Sequence, residues 1–175
     1  MSFDYYLVVP AGKVPTFDQL QAALVNDHIG VSPTRKEGIA GTTPYVVENE
    51  DVSLEFFCNG VESCVEGWVH KFEEDDFDIS QDGWEPYYNH EVVEFFKKNE
   101  ISIVVNDVLI HISFWDPESA FGGWCLICSC FVKNFGAVFY DPQSGEIISE
   151  DNLINIGREI YQSPASENPS NSAPK

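Results

Sequence analysis

The stretch DVSLEFFC (51–58), NG (59–60) and VESCVEGWVHKF (61–72) decides the fold of this chain. Two runs of alternating apolar and polar residues flank an Asn-Gly pair. Asn-Gly supplies the two positive-φ positions of a two-residue hairpin turn, so the runs are expected to pair antiparallel about Asn59-Gly60. The turn fixes the register, with Cys58 opposite Val61 and Phe56 opposite Ser63. Directly opposed residues share a face. One face therefore carries Val52, Leu54, Phe56, Val61, Val65 and Val69 and is expected to be buried. The other carries Glu55, Phe57, Glu62, Glu66, Trp68 and His70 and is expected to be at least partly wet. On this register Cys58 and Cys64 point to opposite faces, which disfavours a disulfide between them.

Working outward, FDYYLVV (3–9) is rich in aromatic and β-branched residues and reads as a strand. Thr16 offers a helix N-cap, with Gln19 in the capping-box position. Phe17, Leu20 and Leu24 follow at helical spacing, so a helix is expected to run to about Asp27. Residues 30–41 read as a loop and 45–47 as a short strand. Glu73, Glu74, Asp75, Asp76 and Asp78 form a charge run in an expected solvated loop. Asn89 is the expected cap of a second helix with an apolar stripe of Val92, Phe95 and Phe96. Lys97 and Lys98 suit its C-terminal dipole. Residues 101–115 read as two strands hinged at Asn106-Asp107. Residues 124–132 and 136–140 read as a further strand pair about Lys133-Asn134. DPQSG (141–145) is turn chemistry. A last helix is expected after Ser149, with Leu153, Ile156 and Ile160 on one side. The element order predicts an α+β fold, mainly antiparallel sheet with about three helices packed on it. Residues 1–162 are expected to form a single domain and 163–175, rich in Ser, Pro and Asn, a flexible tail.

Composition narrows the function classes. Among 175 residues, 29 are Asp or Glu and nine are Lys or Arg, a formal net charge of -20. Such a charge repels nucleic acid and anionic membranes and favours a basic protein partner. Hydrophobic residues at 43% suffice for a core, which sets the chain apart from disordered acidic sequences. No apolar run approaches the roughly 20 residues of a membrane span. The first ten residues lack a basic leader region and the five cysteines are odd in number. A cytoplasmic location with reduced thiols is therefore expected.

Chemistry-bearing motifs are sparse. Cys125, Cys128 and Cys130 form a C-x-x-C-x-C string inside an apolar run, without the second knuckle that structural zinc uses. They read as core thiols. A cysteine-dependent enzyme assembled from Cys128, His111 and Asp141 is a minor alternative. The run EEDDFD (73–78) lacks the ligand layout of a calcium loop. No phosphate-binding, dinucleotide, nucleophile-elbow or metalloprotease motif is present. No catalytic residue, metal or cofactor is expected. The strongest local pattern is acid around exposed aromatics on the hairpin's wet face, suited to a basic partner. The candidate contact residues are Glu55, Phe57, Glu62, Glu66 and Trp68, continued by Glu73, Glu74, Asp75, Asp76 and Asp78.

Met1-Ser2-Phe3-Asp4 and Tyr140-Asp141-Pro142-Gln143 resemble the opening and a late segment of small, acidic, immunity-type proteins of bacterial toxin systems. Those proteins open with Met-Ser-Tyr-Asp; here Phe3 stands in place of the Tyr. The resemblance implies a protein that binds a cognate toxin and occludes its active site. Asp-Pro-Gln also occurs in papain-like toxin domains, after a strand bearing a histidine, and residues 136–139 contain none. A DNA mimic that blocks a nucleic-acid-binding protein is the further alternative. It calls for carboxylates spaced like phosphates, whereas here they are spread among core strands.

Overall fold

The computed structural model describes residues 3–46, 49–58, 60–78, 88–114 and 120–162. Within them the chain runs β1 (Phe3–Val9), α1 (Phe17–Asn26), β2 (Val31–Pro33), β3 (Asn49–Cys58), β4 (Val61–Lys71), a 3-10 turn (Glu74–Phe77), α2 (Tyr88–Lys98), β5 (Val108–Phe114), α3 (Ala120–Phe135), β6 (Val138–Asp141), β7 (Glu146–Ile148) and α4 (Glu150–Gln162). The strands form one sheet in the order β2-β3-β4-β5-β1-β6-β7, and every neighbouring pair is antiparallel. The fold is α+β, with four described α-helices where about three are expected.

The hairpin forms in the expected register, with Cys58 opposite Val61, Phe56 opposite Ser63 and Leu54 opposite Val65. Gly60 takes the positive φ the turn requires, at 81°. Leu54, Phe56, Cys58, Val65 and Val69 are buried as predicted. Val61 is not: it sits at the hairpin tip and is 58% exposed. The side chain of Val52 lies outside the described residues.

The helices divide between the two faces of the sheet. One face carries Leu7, Val9, Leu54, Phe56, Val65, Ile110, Ile112 and Phe139, and α1, α3 and α4 pack on it through Leu20, Leu24, Ile127, Phe131 and Leu153. The opposite face carries Tyr6, Val8, Leu109 and Tyr140, covered by Val92, Val93 and Phe96 of α2 together with Phe72. Strand alternation sends consecutive residues of β1 and β5 into different cores.

The largest departure from expectation is α3. Residues 124–132, read as a strand, lie within a helix of 16 residues. Ten consecutive residues, Gly122 to Phe131, are buried, so no polar face marks the helical period. A continuous apolar run is ambiguous by periodicity, and its length arbitrates: the apolar stretch continues back to Ala120. Lys133 and Asn134 then lie in the last helical turn, not in a hairpin turn. Both reach Asp27 at the end of α1, at 2.8 and 2.7 Å. Gly136, at φ 67°, ends the helix before β6. α4 lies close against α3. A Cβ on Gly157 would stand 2.6 Å from the Leu126 side chain and 2.9 Å from the Gly122 carbonyl oxygen.

Other boundaries shift for local reasons. Residues 101–115 supply one strand, β5, within the described part of the segment, not two. Asp107 is buried and its carboxylate accepts the Ala11 and Val104 N–H groups at 2.7 and 2.9 Å. With Asn106 at positive φ, the pair ties off the end of β4 by exchanging backbone bonds with Phe72. Asn89 lies inside the first turn of α2 and is not its cap. Thr16 caps α1 in a full capping box with Gln19. In place of a strand at 45–47 there is an isolated bridge between Thr16 and Pro44, and Val47 lies outside the described residues. Ser149 accepts the Asn152 N–H and α4 buries Leu153 as expected. The 163–175 tail lies outside the described residues.

Candidate docking face

Among the described residues, α2 and the segment after it cover part of the second face. The rest is built by the free end of the β3–β4 hairpin. There the register pairs Ser53 with Glu66, Glu55 with Cys64 and Phe57 with Glu62. All six side chains fall on one face because each is offset by two along its strand. Ser53, Phe57, Glu62, Cys64 and Glu66 are exposed and Glu55 is half-buried. Phe57, 42% exposed, stands with Glu62 directly opposite and Glu55 two residues back. The Ser53 hydroxyl and the Cys64 thiol lie 3.0 Å apart.

Trp68 marks the border of this patch. It is half-buried and packs edge-on to His111, with ring centroids 4.9 Å apart. His111 in turn meets Tyr6 at 4.9 Å, and Tyr6 stacks with Tyr140 at 5.9 Å. Phe95 of α2 stacks on Tyr140 at 3.8 Å. This aromatic row crosses four strands and separates the helix-covered half of the face from the hairpin end.

The acidic run 73–78 belongs elsewhere. Eight residues of β4 separate Glu62 from His70, roughly 26 Å at the rise of a strand. At that far end Glu74–Phe77 of the run form a 3-10 turn within the segment expected as a solvated loop. Glu73, Glu74, Asp75 and Asp78 are exposed. Asp76 is turned inward, where its carboxylate meets His70 Nε2 at 2.8 Å, Asn89 Nδ2 at 3.1 Å and the Glu73 N–H at 2.7 Å. Burial alone would raise the Asp76 pKa, but the Glu73 N–H, His70 and Asn89 together hold it below the ordinary value. Asp76 therefore fastens the turn and α2 to β4. The structure brings Glu55, Phe57, Glu62 and Glu66 together, with Trp68 at their border, and sets the second group of carboxylates apart from them.

A polar cluster that the sequence reading passed over adjoins the aromatic row. Asp4 of β1 and His111 and Ser113 of β5 share the second face. Asp4 Oδ1 lies 3.1 Å from His111 Nε2 and also accepts a short hydrogen bond from the Ser113 hydroxyl. Ser113 Oγ is 3.4 Å from the same imidazole nitrogen. Burial lowers the His111 pKa, against the opposing pull of Asp4. The residue types are those of a hydrolase triad, but the wiring is not. Asp4 takes up the imidazole nitrogen nearest the serine, so that nitrogen is a donor and does not receive the Ser113 proton. The signal for the cluster was polar residues two apart inside VLIHISF, matched by Asp4 inside FDYYLVV.

Cys128, His111 and Asp141 do not assemble. Cys128 is fully buried on α3 in the first core, whereas His111 projects from the other face of the sheet. Burial pushes the Cys128 thiol well above its ordinary range, pushes Cys125 up too, and raises Cys130 to about 11. Cys64 is the one exposed cysteine. Among the described residues, no group of three or more His, Cys, Asp or Glu is placed to hold a metal ion. No described helix is long and apolar enough to cross a membrane.

The chain matches no known family model, no curated protein and no solved structure.

Proposed function

We propose that this chain is an immunity-type inhibitor that binds a basic protein, a cognate bacterial toxin, and blocks its active site. The observation that carries the reading is Phe57, a large aromatic left exposed on a regular strand face, with Glu62 opposite it, Glu55 two residues back and Glu66 further along the same face. An exposed aromatic anchor with carboxylates beside it on the same face suits a partner rich in Lys and Arg. The net charge of -20 adds long-range attraction that accelerates encounter. Blockade is steric and electrostatic and uses no chemistry of the inhibitor's own.

The test is to mix the purified chain with the toxin encoded beside its gene. A 1:1 complex is expected, with association slowing as salt rises. Phe57→Ala should weaken it at least about tenfold. Glu62→Lys with Glu66→Lys should slow association most at low salt. Absence of any complex at low salt would overturn the reading. Competition by duplex DNA for the same partner surface would replace it with a DNA mimic.

A further inference from the structure

β4 outruns its neighbour β5. The two strands pair from Lys71 opposite Val108 back to Gly67 opposite Ile112. Ser113 and Phe114 continue β5 but pair only with β1, opposite Asp4 and Phe3. Residues 61–66 of β4 therefore have β3 on one side and, among the described residues, no strand on the other. Where their backbone groups point follows from alternation. In an antiparallel sheet each residue directs its N–H and C=O toward one neighbouring strand, and the next residue toward the other. The N–H of Phe72, just past β4, donates to the Asp107 carbonyl on the β5 side, so the even-numbered residues of β4 face that side. The opposite strand agrees. Thr34 N–H donates to the Glu55 carbonyl on the β2 side, so the even-numbered residues of β3 face β4. In the observed register those are Leu54, Phe56 and Cys58, and they meet Val65, Ser63 and Val61. Both lines leave the N–H and C=O groups of Glu62 and Cys64 directed at the open edge, and both residues are exposed.

An unpaired strand edge is a template for another chain, and the side chains along it select which one. Glu62, Cys64 and Glu66 alternate along this edge and share one face. A second copy pairing antiparallel about Cys64 would set Glu62 against Glu66, and like charges directly opposed are destabilising. A strand bearing Lys or Arg at alternate positions would instead place a cation opposite each carboxylate. We propose that the edge of β4 at residues 61–66 receives an extended basic segment of the partner as an added strand, bonded through the backbone of Glu62 and Cys64 and paired in charge with Glu62 and Glu66. This rests on reading the hairpin end as the docking face for a basic protein. It adds the form of the contact, main chain to main chain along β4, beside the surface that carries Phe57.

The edge can be tested on the full chain alone and then with a peptide. In amide hydrogen exchange, Glu62 and Cys64 should exchange at least about tenfold faster than Ser63 and Val65, whose N–H groups bond to β3. Equal protection of the two sets would overturn the proposal whether or not any variant folds. The isotope-labelled chain is then titrated at low salt with the peptide acetyl-(Lys-Thr)4-amide and, separately, with acetyl-(Glu-Thr)4-amide. Saturable shifts of the Glu62 and Cys64 amides are expected with the lysine peptide and none with the glutamate peptide. Cys64→Pro removes one edge N–H, a change that an edge strand tolerates where that N–H faces solvent. It should weaken the response at least about tenfold, whereas Cys64→Ala, which keeps the N–H, should leave it intact. Absence of a response to the lysine peptide, or an equal response in the proline and alanine variants, would overturn the proposal. If the toxin does not bind but the lysine peptide adds to β4, the inhibitor reading fails and the edge stands. If the toxin binds Cys64→Pro and Cys64→Ala alike, the edge fails and the inhibitor reading stands.

Discussion

Phe56 and Phe57 are neighbours in β3 and chemically identical, yet their surroundings differ completely. Phe56 faces the core beneath α1, α3 and α4 and is 0% exposed, whereas Phe57 faces the other way and is 42% exposed. The same division runs through the whole sheet. The first face carries apolar residues from β3 across to β6 under three helices. Among the described residues, the second is apolar where α2 lies on it and turns acidic toward the hairpin end. The difference teaches that, on the function proposed above, stability and recognition would fall to different faces of the same strands. One face fills a core. The other leaves a large side chain partly in water.

The sharpest way to break that comparison is to truncate both phenylalanines. Phe56→Ala should cost about 3–5 kcal/mol in urea unfolding, since it leaves a cavity in the main core. That is a large share of the roughly 5–15 kcal/mol available to a domain. Phe57→Ala should change stability by less than about 1 kcal/mol, because little surface returns to water. Similar losses at the two positions would mean that the second face is packed like the first.

A smaller loss is expected at Gly67, where β4 meets β5. A Cβ there would stand 2.0 Å from the His111 carbonyl oxygen and 2.8 Å from Ile112. The obstruction is backbone and does not rotate away. Gly67→Ala should therefore cost about 1–3 kcal/mol by forcing the two strands apart. It should also shift the Trp68 and His111 resonances, because the same carbonyl belongs to the residue that orients Asp4. A neutral Gly67→Ala would show that the strands adjust easily and that the polar cluster is less firmly held than the geometry implies.

Thiol labelling compares the faces without changing a residue. Cys64 is on the exposed face and should react with a soluble disulfide reagent at once. Cys58, Cys125, Cys128 and Cys130 are buried and should react only as the protein unfolds. Fast labelling of Cys128 in the native state would revive the cysteine-enzyme alternative.

How much of this was legible depended on whether a segment has one wet side. The hairpin could be read to the exact pairing because Asn-Gly fixes the register and every second residue is polar. α1 and α4 were legible for the same reason, with caps at Thr16 and Ser149 and stripes ending in Leu24 and Ile160. α3 was not. With Gly122 through Phe131 buried on all sides, the run carries no periodicity, and nothing local separates a buried helix from a buried strand. The site divides similarly. Glu55, Phe57, Glu62 and Glu66 follow from alternation alone. The inward turn of Asp76 depends on His70 and Asn89, and the Asp4 cluster depends on β1 pairing with β5 more than a hundred residues later, which no local pattern reveals.

The smallest expected effect is a pH dependence that tells the two polar anchors of the second face apart. Burial holds the His111 pKa below its ordinary value of about 6.5, so the folded chain resists a proton that the unfolded chain accepts. Its contribution to stability is complete above that value and declines as pH falls below it, until the lower folded pKa is passed. Asp76 is also held low, by the Glu73 N–H, His70 and Asn89 acting against burial. Its contribution is complete above the ordinary carboxylate value of about 3.9 and is lost only at more acid pH. Urea midpoints measured from pH 8 to pH 3 should therefore fall in two stages. His111→Asn should flatten the first stage and leave the second, whereas Asp76→Asn should do the reverse. The slopes carry the information, since either substitution also lowers stability at every pH. An unchanged first stage in His111→Asn would mean that His111 takes up its proton freely beside Asp4.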